Sequence, residues 1–106
     1  MKILTRAEEL VLLAIWRLDE EAYCVPILDQ VQEVSGRKWT LGSIYITLHR
    51  LEKRHYVESE LGTPTAERGG KSKRFYKVTQ AGVEALRATR KVEKAMWDGI
   101  EGIVYE

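Results

Sequence analysis

The sequence predicts a mainly α-helical protein that carries one small β-hairpin, and three observations lead there. Between Leu41 and His55 apolar residues recur at steps of three and four, the spacing that stacks side chains along one face of an α-helix. Two short β-prone segments, 56–61 and 74–79, flank a tip containing Gly69 and Gly70, whose backbone freedom suits a turn. Finally, 106 residues with 44% hydrophobic and 31% charged content leave room for one soluble domain with a modest core.

Thr5 and Glu8 stand at capping-box spacing ahead of the apolar run Leu10 to Trp16, so a first helix opens there. The run is apolar on every side, which requires cover from more than one direction. Leu10, Val11, Ala14 and Leu18 are assigned to the core, and Leu12, Leu13 and Trp16 to a partner subunit; complete burial within one chain is the alternative. The paired acids Glu8-Glu9 and Glu20-Glu21 read as solvated helix faces or ends. The run is too short to cross a bilayer and follows acids where a signal peptide would be basic, so a cytoplasmic protein with no membrane partner is expected.

Pro26 suits the first turn of a second helix that turns Ile27, Leu28, Val31 and Val34 inward and stops near Ser35-Gly36. Cys24 is the single cysteine, which excludes an intrachain disulfide, and it reads as a small residue packed under that helix. Redox sensing there would need an exposed, acidified thiol. In the following link Trp39 is an expected anchor and Thr40 an expected N-cap.

On the third helix Leu41, Ile44, Tyr45, Leu48 and Leu51 make the expected core face. Thr40, Gly42, Ser43, Thr47, Arg50 and Arg54 fall largely opposite, polar in the first turns and cationic further along. Such a face fits a major groove, touching bases early and phosphates late, although any solvated helix has the same polarity. Arg68, Lys71 and Lys73 in the hairpin tip, with Arg74 and Lys77 beyond it, suit a phosphate backbone; a charged tip also protects an edge hairpin from aggregation.

The net charge of +1 says little, but its distribution says more. Segments 1–36, 37–77 and 78–106 carry −4, +6 and −1, so the positive excess is confined to the third helix, its lead-in and the hairpin. Catalysis lacks a constellation: His49 and His55 do not share a helix face, and no phosphate-cradling loop or nucleophile elbow is present. No cofactor and no metal are expected.

Gly42-Ser43-Ile44-Tyr45, Leu48, Arg50-Leu51-Glu52, Gly69-Gly70, Arg74-Phe75-Tyr76, Val78-Thr79 and Gly82, in this order and spacing, resemble the signature of PadR-family transcriptional regulators. The resemblance spans nearly the whole chain. Ile46 stands where the family commonly has proline, His55 where it has glycine ending the recognition helix, and Cys24 where glycine often precedes the second helix. The family implies a winged helix-turn-helix over 1–79 and a C-terminal dimerisation helix over 80–106, together one compact domain. It further implies a two-fold dimer acting as a repressor on double-stranded DNA.

The last helix begins after a Thr79 cap and is expected to run close to the chain end. Ala85, Ala88, Val92, Ala95, Met96, Gly99 and Ile103 follow helical spacing, with Trp97 and Ile100 on an adjoining edge, more apolar surface than one small domain buries. The expected homodimer interface is therefore Leu12, Leu13, Trp16, Val92, Met96, Trp97, Ile100 and Ile103. Two-fold symmetry suits a palindromic operator with half-sites roughly 34 Å apart. Among relatives of this kind an interface cleft sometimes takes flat aromatic compounds, and Trp16, Met96 and Trp97 are the candidate effector contacts; plain packing is the competing account.

For DNA, Thr40, Ser43, Ile46, Thr47 and Arg50 are assigned to bases or adjacent backbone. Arg37, Lys38, Tyr45, Lys53, Arg54, Arg68, Lys71, Lys73 and Arg74 are assigned to phosphate. The alternative function is a winged-helix adaptor that binds protein and no duplex tightly.

Overall fold

The computed structural model describes residues 3–62, 72–100 and 102. Within them the helices are α1 (Arg6–Leu18), α2 (Cys24–Ser35), α3 (Leu41–Lys53) and α4 (Gln80–Trp97), and the strands are β1 (Val57–Leu61) and β2 (Arg74–Val78). A single 3-10 turn, Asp19–Glu21, joins α1 to the approach of α2.

Side-chain caps open three of the helices where the sequence placed them. At α1 the Glu8 amide donates to Thr5 Oγ1 at 3.2 Å and the Thr5 amide donates to Glu8 Oε1 at 2.9 Å, so two otherwise orphaned donors are satisfied together. Thr40 and Ser43 make the same reciprocal pair at α3, at 3.1 and 3.2 Å. Thr79 accepts from the Gly82 amide at 3.1 Å and donates its own proton to the His55 carbonyl at 2.6 Å, which pins α4 to the end of α3. Trp39 is the anchor expected of it: its amide donates to Gln32 Oε1 at 2.9 Å and its indole to Ser35 Oγ at 3.2 Å.

α3 stops in a Schellman pattern, with the His55 amide on the Glu52 carbonyl at 3.0 Å and the Tyr56 amide on the Leu51 carbonyl at 2.9 Å. His55 takes the left-handed position at φ 62°, so the glycine-type turn survives without glycine at a cost of about 1 kcal/mol. The hairpin pairs antiparallel from Val57 opposite Val78 to Leu61 opposite Arg74. The Tyr76 amide also donates to the Ala22 carbonyl at 2.8 Å, tying the approach of α2 to the hairpin. Gly82 is needed where α4 starts: a Cβ there would collide with the Tyr56 carbonyl oxygen and come within 2.8 Å of Val78 Cγ1.

The core gathers Val11, Leu12 and Ile15 from α1, Ile27 and Val31 from α2, Ile44, Leu48 and Leu51 from α3, and Val57 and Tyr76 from the hairpin. Several expectations change. Leu12 is fully buried inside one chain and is not available to a partner. Tyr45 is exposed because α3 packs along the line Ile44–Leu48–Leu51 and one residue step from Ile44 rotates a side chain about 100° off it; Leu41, the first residue of α3, and Val34, near the end of α2, are exposed as well. α4 ends at Trp97, followed by a turn with Gly99 at φ 83°, short of the predicted run to the chain end; Ile103 lies outside the described residues. The molecule is elongated, 55 × 29 × 21 Å with a Cα radius of gyration of 15.7 Å, against about 13 Å for a compact chain of this size.

Candidate nucleic-acid interface

Gly42, Ile46, His49, Arg50 and Lys53 are all exposed on α3 and follow three- and four-residue steps, so they form one outward stripe. Tyr45 is exposed beside it. In the link before the helix Arg37 and Lys38 are exposed as well, and the last turn of α3 is basic through Arg50 and Lys53. Thr40 is exposed and Ser43 half-buried, but their side chains are engaged with each other's backbone in the cap.

Two assigned residues turn out to be spent inside the molecule. Thr47 is only 5% exposed and donates its hydroxyl to the Ser43 carbonyl at 2.9 Å, so it does not reach a base. Arg54 is drawn inward by Glu8, with Nη1 2.9 Å from Oε2, and is not a free phosphate contact. Glu8 itself is buried at 1% exposure, which corrects its assignment to a solvated face. A carboxylate in that setting is held by its guanidinium partner and the Thr5 amide together. Sequence reasoning missed this pair, although Glu8 shares the helix face of Leu12 and Ile15 at steps of four and seven.

One edge of α3 faces the hairpin across a cleft of about 830 Å³. Tyr45, His49 and Glu52 line it from α3, Tyr23, Cys24 and Val25 from the start of α2, and Leu61, Ser72, Lys73, Arg74 and Tyr76 from the hairpin. Lys73 Nζ sits 3.7 Å above the centroid of the Tyr23 ring, a cation–π contact, and Phe75 meets the same ring edge-on at 5.4 Å. Ser59 donates to Glu52 Oε2 at 2.7 Å while accepting from Arg74 Nη1 at 3.0 Å, so a hydroxyl fastens the hairpin to α3. The hairpin cations Lys73 and Arg74 are thereby brought beside α3, whereas Arg68 and Lys71 lie outside the described residues.

Burial pushes the Cys24 thiol up, only partly countered by a hydrogen bond with Tyr45. The thiol is therefore kept protonated, unlike the thiolate that redox sensing requires. Tyr45 is raised in turn, first by the charge Cys24 would carry and then by their hydrogen bond.

A second exposed surface is apolar. Leu13 and Trp16 on α1 and Val92, Met96 and Trp97 on α4 are open, as is Ile100 beyond the helix. Leu13 and Trp97 border a shallow groove of about 460 Å³ between the two helices, edged by Arg87, Arg90, Glu93 and Lys94. Among the described residues no group of three or more His, Cys, Asp or Glu side chains could hold a metal, and no helix is long and apolar enough to cross a membrane.

Three helices with the third flanked by a two-stranded hairpin define a winged helix-turn-helix protein. The chain belongs to the transcriptional regulator PadR-like family, whose model matches residues 11–88. It is similar in structure to a PadR-like transcriptional regulator from Bacillus cereus, with a TM-score of 0.74 and 20% identity over 93% of this chain and 91% of that one. A PadR-like transcription factor from Bacteroides fragilis gives a TM-score of 0.70 at 22% identity, covering 92% of each chain. A PadR family regulator from Clostridium difficile gives 0.66 at 20% identity, over 95% of this chain and 96% of that one. No curated protein matches the sequence.

Proposed function

We propose that this protein is a dimeric, sequence-specific DNA-binding transcriptional repressor that recognises a palindromic operator. The observation that carries the reading is the exposed stripe of α3, which ends in Arg50 and Lys53 and whose His49 shares a cleft with Lys73 and Arg74 of the hairpin. Cations from two elements on one side suit the paired phosphate rails of a duplex groove. Arg50 is assigned to a base edge, with Ile46 beside it. Arg37, Lys38, Tyr45, Lys53 and Arg74 are assigned to phosphate, and Lys73 joins them by leaving its place over Tyr23. Residues 1–79 form the DNA-binding unit and 80–106 the dimerisation unit of one cytoplasmic, non-enzymatic domain.

The open side chains of Leu13, Trp16, Val92, Met96 and Trp97 support the dimer, since α1 and α4 leave them without cover in a single chain. Trp16, Met96 and Trp97 would also flank a planar aromatic effector at that seam. Plain packing competes with the effector; titrating a planar dye against tryptophan fluorescence separates them, and an absence of quenching removes the ligand.

Duplex binding is tested by its dependence on salt. Each neutralised phosphate releases counterions, so roughly six to ten contacts should lose about a thousandfold in affinity between about 50 and 200 mM salt. Arg50→Ala should weaken operator binding by about 1–3 kcal/mol and blur one base position, while Lys53→Ala should weaken all duplexes alike. A protein that binds no duplex tightly at low salt is instead the protein-interaction adaptor.

A further inference from the structure

The outward stripe of α3 is short of free hydrogen-bonding groups in its first two turns. Thr47 is buried with its hydroxyl on the Ser43 carbonyl. Ser43 donates to the Thr40 carbonyl at 2.8 Å and accepts the Thr40 amide, while Thr40 Oγ1 accepts the Ser43 amide. Gly42 brings no side chain. The most exposed side chain on this part of the stripe is aliphatic, Ile46 at 57% exposure, with Leu41 and Tyr45 open at its flank.

Leu41, Tyr45 and Ile46 together leave an exposed apolar patch beside the cations of this surface, and it is the patch, more than any one side chain, that marks a place of apolar contact. The edges of the bases in a major groove carry one apolar feature that separates them, the C5-methyl group of thymine. The geometry points to Ile46 as the residue that reads a thymine methyl in each half-site, an inference that rests on the DNA-binding reading above. Arg50 lies one turn further on, four residues or about 6 Å along the helix axis. That distance is roughly two base-pair steps of ~3.4 Å, so the guanine suited to Arg50 stands about two pairs from the thymine suited to Ile46. Specificity in the half-site then comes from one methyl contact and one bidentate cation, in place of the row of hydroxyls that the helix uses on itself.

The full chain is used to enrich duplexes from a random-sequence pool, and the recovered half-sites should hold a thymine about two pairs from a guanine. Replacing that thymidine by deoxyuridine in one half-site removes only one methyl group, and the wild-type protein should then bind about fourfold more weakly, the worth of one buried methyl-sized group. Ile46→Ala changes both subunits, so it should bind the thymine site about fifteenfold more weakly, and it should make no distinction between thymine and uracil. Its folding is unaffected because the side chain is exposed. Recovered sites without thymine there, or an equal uracil penalty in Ile46→Ala, overturn the methyl contact while leaving DNA binding intact. Failure to enrich any duplex overturns both.

Discussion

The stripe of α3 and the seam between α1 and α4 are both open to solvent, yet they present different chemistry. On α3 the one large aliphatic side chain of the stripe, Ile46, is followed by His49, Arg50 and Lys53, so charge dilutes the apolar surface. On α1 and α4 Leu13, Trp16, Val92, Met96 and Trp97 are exposed on two helices that pack together, and the groove between them carries charges of both signs, Glu9 and Glu93 with Arg87, Arg90 and Lys94. The first surface is well solvated alone and suits a polyanion; the second is best covered by an apolar surface like itself. Exposure identifies where a partner can come, and the surrounding charge decides which kind. Glu8 and Arg54 link the two regions, because their ion pair joins the first turn of α1 to the end of α3.

The apolar seam is the place to break this comparison hardest. In the proposed dimer Met96→Asp sets a carboxylate on each side of the two-fold interface, so the dimer dissociation constant should rise at least about a thousandfold. Sedimentation equilibrium across a dilution series would register it as a halved mass, and an unchanged mass would place the interface elsewhere. The link between the regions comes next. Arg54→Ala strands the Glu8 carboxylate in the core and should lower the unfolding free energy by about 3 kcal/mol, at the low end because Arg54 is itself partly solvated. Urea titration measures this, and a loss below about 1 kcal/mol would mean that Glu8 does not depend on Arg54. The smallest change sharpens the joint between α3 and the hairpin: His55→Gly relieves the left-handed backbone and should raise stability by about 1 kcal/mol in thermal melts. No gain would show that the imidazole offsets its own strain.

Much of the fold was legible because it depends on near neighbours. Thr5, Thr40 and Thr79 cap their helices through atoms three residues away, and Ile44, Leu48 and Leu51 declare a helix face by their spacing. The same spacing misplaced Leu12, Val34, Leu41 and Tyr45, since periodicity gives the direction of an apolar face but not its width. The candidate site divides similarly. Arg50, Lys53 and Ile46 are exposed as expected, whereas Thr47 is lost to its own helix and Arg54 to a carboxylate distant in the chain.

Composition, capping residues and periodicity were enough to determine four helices, one hairpin and a basic segment from 37 to 77, because short-range hydrogen bonds and side-chain spacing govern each of these. Which cations remain free, which face of α1 is left for a partner, and how Ser59 locks the hairpin to α3 were decided only when distant segments met. Burial and ion pairing depend on neighbours in space, and the order of residues along a chain does not contain them directly.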